Sequence, residues 1–253
     1  MSTINRLFDI TGKIAIVTGG SRGIGNMIAR GFVENGVKTY ITSRTEKECQ
    51  AAAKEMSRYG QCVAIPGDLS SLEGVNKFVE AFNCHEENLD ILINNAGIVE
   101  GEPIENLSET KWDNVMNTNL KSLFFLTQRL LETLKKGASI DVPARILNIA
   151  SVVGVTVPEE DGMYAYASSK AGVIHLTRLL AKRLARSHIT VNAISPAMFP
   201  NRRTADLLDD RNSPLGRIGT QEDVAGVATF LSSRAGAWIT GANIPVDGGF
   251  SLR

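Results

Sequence analysis

Ile14-Ala15-Ile16-Val17-Thr18-Gly19-Gly20-Ser21-Arg22-Gly23-Ile24-Gly25 is the stretch that decides how this chain folds. An apolar run suited to a buried strand ends in a glycine-rich turn, and helix-like sequence follows from Ile24 to Asn35. Amides at a helix start have no intrahelical partner and carry partial positive charge, so a pyrophosphate can rest on them. Glycines let the backbone turn sharply and approach phosphates with no Cβ in the way. The spacing is Gly-x-x-x-Gly-x-Gly, which makes Gly19, Ser21, Arg22, Gly23, Ile24 and Gly25 candidate phosphate-binding residues. A glycine cluster alone also suits a plain tight turn. The strand before it and the helix after it favour a nucleotide site.

Outward from this turn, short β-rich runs alternate with longer helical patterns. Strands are predicted at 13–18, 37–42, 61–65, 89–93, 145–150, 189–194 and 242–246, several of them apolar on both faces. Helices are predicted at 24–35, 45–59, 72–82, 120–136, 165–186 and 222–231. In the helix at 165–186, Ala171, Ile174, Leu176, Leu179, Leu180 and Leu184 form an apolar stripe. The alternation implies a single-domain α/β fold of the doubly wound Rossmann type, with a parallel sheet of about seven strands covered on both faces. Residues 11–150 would form its dinucleotide-binding half and 151–253 its catalytic and substrate half. The first few residues are expected to fray.

Bulk composition agrees with a one-domain enzyme. The 253 residues suffice for a sizeable core, and 27 basic residues balance 27 acidic ones with no long block of like charge. Nothing there favours nucleic acid or a membrane surface as partner. Cys49, Cys62 and Cys84 have no metal-ligand spacing, so no metal site is expected, and they read as reduced cytoplasmic thiols. No apolar run suggests a signal peptide or a membrane span.

Ligands of doubly wound sheets bind at the carboxyl ends of the strands, so the residues after each strand matter most. After the second strand come Ser43 and Arg44. At about 20 residues beyond the glycine turn, an acid would hold the ribose of NAD, whereas an arginine accommodates the extra phosphate of NADP. Here the position holds Arg44, with Arg22 a second cation in the turn, so the cofactor reads as NADPH/NADP+. The alternative is that both are solvated surface arginines. After the third strand stand Asp68 and Leu69; Asp68 could accept from an adenine amino group or cap the next helix. After the fourth, Asn94-Asn95-Ala96-Gly97 offers amides and a small surface for a flat cofactor, or is a plain loop.

Chemistry converges on Ser151, Tyr166 and Lys170. Tyr166 and Lys170 are four apart and share a helix face, and Ser151 directly follows the strand at 145–150. A free tyrosine ionises near pH 10, and a neighbouring ammonium should lower that value, giving a residue able to pass a proton to a substrate oxygen. Ser151 can hold a carbonyl oxygen as charge builds on it. Tyr164 competes for the role, but four residues on it meets Ser168, which brings no charge.

Together, Thr18 to Gly25, Asp68-Leu69, Asn94 to Gly97, Asn119, Ser151 and Tyr166-Ala-Ser-Ser-Lys170 resemble, in order and spacing, the short-chain dehydrogenases/reductases. Within that family, Tyr164-Ala-Tyr166, Phe199 to Arg202 and Ile244 to Gly249 are most similar to the NADPH-dependent β-ketoacyl (3-oxoacyl) reductases of the rhamnolipid type. The resemblance implies reduction of a 3-oxoacyl thioester, linked to CoA or acyl carrier protein, with Tyr166 as general acid and Ser151 polarising the carbonyl. Lys170 would bind the nicotinamide ribose. Asn119 would hold a water between Lys170 and solvent, or cap the helix that starts there. Pro196 and Met198 would face the nicotinamide, and Met198 and Phe199 would line the substrate pocket. Ala197 stands where the family has glycine. The charged segment 199–214 would be a short lid, its Arg202 and Arg203 either reaching an anionic handle or pairing with Asp206, Asp209 or Asp210. The resemblance also implies a D2 homotetramer, or a homodimer, built through the helices at 120–136 and 165–186. Other ketones or secondary alcohols would suit the same residues. A non-catalytic NADP-binding regulator would have no need of the proton donor.

Overall fold

The computed structural model describes residues 2–200 and 213–252. Seven strands form one fully parallel sheet in the order β3-β2-β1-β4-β5-β6-β7. They are β1 (Ile14–Thr18), β2 (Lys38–Thr42), β3 (Cys62–Ala64), β4 (Ile91–Asn94), β5 (Ala144–Ile149), β6 (Ile189–Pro196) and β7 (Asn243–Val246). The chain winds outward from β1 to β3, then returns to lay β4 against the other side of β1. That reversal opens a crevice at the carboxyl ends of β1 and β4, the place where such sheets take ligands.

The helices are α1 (Thr3–Phe8), α2 (Gly23–Glu34), α3 (Glu46–Met56), α4 (Leu72–Asn83), α5 (Glu109–Met116), α6 (Ser122–Arg129), α7 (Leu131–Lys136), α8 (Tyr164–Leu184) and α9 (Gln221–Ser232). Strand periodicity sorts the core into two layers. Val17, Ile93, Leu147 and Ile194 pack with α2, α3 and α9, while Ile16, Leu92, Ile146 and Val191 pack with α4, α6, α7 and α8. Gly31 allows α2 and α9 to close together, since a Cβ there would lie 2.7 Å from that of Ala225. No helix among the described residues is long and apolar enough to cross a membrane.

Three elements differ from the sequence reading. The expected frayed N-terminus instead holds α1, capped by Ser2 Oγ, which accepts from Asn5 N at 3.2 Å. Ser108 caps α5, which was not foreseen. The helix expected at 120–136 is broken: a π-helical turn, Asn117–Lys121, joins α5 to α6, and a break at Leu130 separates α7. Asn119 therefore lies inside a continuous helical run and is no N-cap.

Candidate active site

The crevice is stitched shut beneath its floor. Thr18 Oγ1 accepts from the amides of Asn95 (2.8 Å) and Ala96 (2.9 Å), and Asn95 Nδ2 donates to the carbonyls of Thr18 (2.8 Å) and Gly19 (3.3 Å). Asn95 thus ties the glycine turn after β1 to the loop after β4. Its amide is spent on backbone, so what the loop offers a ligand is surface. Gly25 must stay glycine for this contact: a Cβ there would sit 2.4 Å from Asn95 Nδ2 and 2.5 Å from the Gly19 carbonyl.

The turn fits a pyrophosphate. Arg22 occupies the N-cap of α2 and makes no side-chain cap bond, so the first amides of the helix are left to a ligand. Gly23 has φ +56°, and a Cβ there would meet nothing within 4 Å, so its backbone faces open space. Ser21 and Ile24 are half-buried around it.

Further along the rim, Arg44 is exposed and has no ion pair among the described residues, whereas exposed Arg22 lies 3.8 Å from Glu48. Ser43 Oγ donates to the Thr45 carbonyl at 3.4 Å. Asp68 is not the cap of α4: its Oδ1 accepts from Ser70 N at 3.0 Å, and Ser71 caps the helix through Gly74 N at 3.1 Å. Leu69 is buried beside it.

A cavity of about 160 Å³ brings Ile24, Asn95 and Gly97 together with Ser151, Tyr166, Lys170 and Pro196. Ser151 follows β5 and caps the short turn Val152–Gly154, its Oγ accepting from Val153 N at 3.4 Å. Tyr166 stands in the first turn of α8 and Lys170 one turn on. Lys170 is buried, and its Nζ donates to the Ile149 carbonyl at 2.8 Å while lying 5.6 Å from the centre of the Tyr166 ring. Burial lowers the Lys170 ammonium to about 8.

Tyr166 departs from expectation. Burial raises its phenol above the usual value, and the opposing pull comes from a hydrogen bond with Ser151. The lysine nitrogen lies by the ring and donates to the Ile149 carbonyl, and burial is the larger influence on the phenol. The result is a tyrosine that keeps its proton at neutral pH, as an acid must.

Asn119 is buried between two elements of the site. Its Oδ1 accepts from Ile98 N at 2.8 Å, and its Nδ2 donates to the Ile98 carbonyl at 3.0 Å and to Ser169 Oγ at 3.1 Å. It thereby joins the loop after β4 to the residue beside Lys170.

Beyond β6, Ala197 N donates to Val246 O at 3.3 Å, and His188 is the one residue other than glycine with positive φ among those described. Alanine is thus free of strain at that site. Met198 is 37% exposed, but Phe199 is 3% exposed and packs in the core against Gly219. The expectation that Phe199 lines the substrate pocket is therefore corrected: a planar ring with α9 and the sheet to cover it is better buried than wet. Arg202, Arg203, Asp206, Asp209 and Asp210 lie outside the described residues.

Sequence reading did not find the buried chain Thr127–Asn94–Asn148–Thr177. Asn94 Nδ2 donates to Thr127 Oγ1 (3.2 Å) and Asn148 Oδ1 (2.9 Å), and Asn148 Nδ2 donates to Thr177 Oγ1 (2.9 Å). Polar residues inside apolar strands were its only signal. The network locks β4, β5 and α8, the three elements that carry the site, in one relation.

Known proteins agree with this architecture. Residues 19–251 match a family model described as enoyl-(acyl carrier protein) reductase. The chain is 44% identical to the rhamnolipids biosynthesis 3-oxoacyl-[acyl-carrier-protein] reductase of Pseudomonas aeruginosa, covering 97% of this chain and 98% of that protein. It is 38% identical to the 3-oxoacyl-[acyl-carrier-protein] reductase FabG of Chlamydia pneumoniae, over 96% and 99% of the two chains. The solved Pseudomonas aeruginosa RhlG/NADP active-site complex superposes with a TM-score of 0.94 at 43% identity, covering 98% of this chain and 99% of that one. With the glycine turn, the stitched crevice and the serine–tyrosine–lysine cavity in place, this chain belongs to the short-chain dehydrogenase/reductase family.

Proposed function

We propose that this chain reduces 3-oxoacyl thioesters to 3-hydroxyacyl thioesters with NADPH. The observation that carries the reading is the meeting of Ser151, Tyr166 and Lys170 in one cavity with Ile24 of the phosphate turn. The names of its relatives, both 3-oxoacyl reductases, and the NADP held by a related structure support substrate and cofactor.

Bound NADPH supplies the hydride that reduces the carbonyl carbon. The amides of the α2 start would take its pyrophosphate, Arg44 its ribose phosphate, and Lys170 its nicotinamide ribose. Ser151 donates a hydrogen bond to the carbonyl oxygen and steadies the charge that grows there. Tyr166 gives its phenolic proton to that oxygen, so the ketone gains one hydride and one proton and leaves as a secondary alcohol. Consumption of NADPH with acetoacetyl-CoA, longer 3-oxoacyl thioesters and simple diketones tests the reading. Turnover is expected to be best on the thioesters. Turnover of diketones or sugars alone would replace the acyl substrate with another ketone.

We also infer a cytoplasmic tetramer. An apolar groove of about 470 Å³ runs between the π-helical turn, α6 and α8, lined by Leu120, Phe124, Leu176 and Leu179, with Leu179 55% exposed. Elsewhere Trp238 is 99% exposed and Leu252 87%, and we infer that these residues meet a further copy of the chain. Two different self-complementary faces on one chain generate D2 symmetry. Sedimentation at micromolar concentration is expected to give a tetramer, and Leu179→Asp a smaller species. A wild-type monomer would remove the inference.

A further inference from the structure

The catalytic turn of α8 begins without the devices that usually secure a helix start. Its N-cap, Met163, makes no side-chain cap bond, and the first turn contains no acid. Such ends fray unless other contacts hold them. Tyr166 sits in this turn, where a small displacement would cost proton transfer dearly.

What holds it comes from the preceding loop. The Tyr164 hydroxyl donates to Asp161 Oδ1 at 2.6 Å, and the same oxygen accepts from Gly162 N at 2.7 Å. This attachment to a carboxylate raises the Tyr164 phenol above its usual value, and it commits the Tyr164 proton to Asp161, outside the cavity that Tyr166 lines. The loop is itself anchored. Gly162 O accepts from Glu102 N at 3.3 Å, in the segment that follows Asn95–Gly97. The approach is so close that a Cβ on Gly162, whose φ is +90°, would lie 2.9 Å from Glu102 N. Glu102 in turn pairs with Lys111 of α5.

We propose that Tyr164 and Asp161 are positioning residues that latch the first turn of α8 to the loop after β4 and so aim the Tyr166 phenol. The proposal rests on Tyr166 being the proton donor. Tyr164→Phe keeps the ring and removes the latch. It is expected to lower kcat ~10-fold on whichever ketone the wild type reduces, with the Kd for NADPH unchanged. Amide hydrogen exchange over 163–168 should quicken ~10-fold, about what one lost hydrogen bond allows. Asp161→Ala also frees Gly162 N, so it should lose at least as much as Tyr164→Phe, and the double variant should be no worse than Asp161→Ala, in which the bond to Tyr164 is already broken. Asp161→Asn retains the accepting oxygen and should restore both readouts. Wild-type kcat and exchange in Tyr164→Phe, or losses that multiply in the double variant, would overturn the latch. Exchange alone decides the matter if no ketone is turned over, an outcome that would instead count against the reductase reading.

Discussion

Tyr166→Phe lowers kcat by 10²- to 10⁴-fold, roughly the contribution of a positioned general acid, while NADPH binds as before. The ring stays, so the packing that buries it is intact, and only the proton is lost. Titration of fluorescence against NADPH separates binding from turnover. The contrast with Tyr164→Phe matters: if that variant suffers the larger loss, the acid has been misassigned. The pH profile adds a second check. Burial raises the Tyr166 phenol, so it remains a donor well into the alkaline range. Lys170, brought down to about 8, loses its charge first. The value of kcat/KM for NADPH should therefore be flat below pH 8 and fall above it. A decline that begins only near pH 10 would return control to the tyrosine.

Arg44→Asp is expected to weaken NADPH binding at least 10- to 100-fold, the scale of a lost charge-assisted hydrogen bond with a new repulsion added. NADH should bind equally well or better, because the new carboxylate can accept from the ribose hydroxyls. The choice of Arg44 over Arg22 is structural. Arg22 is already drawn toward Glu48, whereas Arg44 is uncommitted among the described residues. Dissociation constants for both nucleotides in wild type and variant give the answer directly. Unchanged NADPH affinity would reduce Arg44 to a surface charge.

Local rules made much of this fold legible. Strands 14–18 and 144–149 are buried on both faces because helices cover both, and their mostly apolar sequences show it plainly. Tyr166, Lys170 and Ser151 could be placed together because helix spacing and a strand end fix them. What escaped is non-local. Nothing near Asn95 says that its amide will be used under the glycine turn 76 residues away. Phe199 adjoins a functional loop in sequence, yet tertiary packing turns its ring into the core. The rise of the Tyr166 phenol escaped because charge was weighed without burial, and burial is a property of the finished structure.

The widened turn at Asn117–Lys121 has a consequence for the helix that contains it. One extra residue in a turn advances an α-helix by about 100° of phase. Within the shift, Asn119 is keyed to Ile98 and Ser169; beyond it, Leu123 and Leu126 are turned inward while Phe124 remains at the surface. A uniform helix would present a single continuous stripe and would serve one of these surroundings at the expense of the other. By slipping one residue, the run is divided into two faces of different azimuth, one read by the catalytic centre and one by the core. A deletion there would rotate everything downstream without changing any neighbouring side chain.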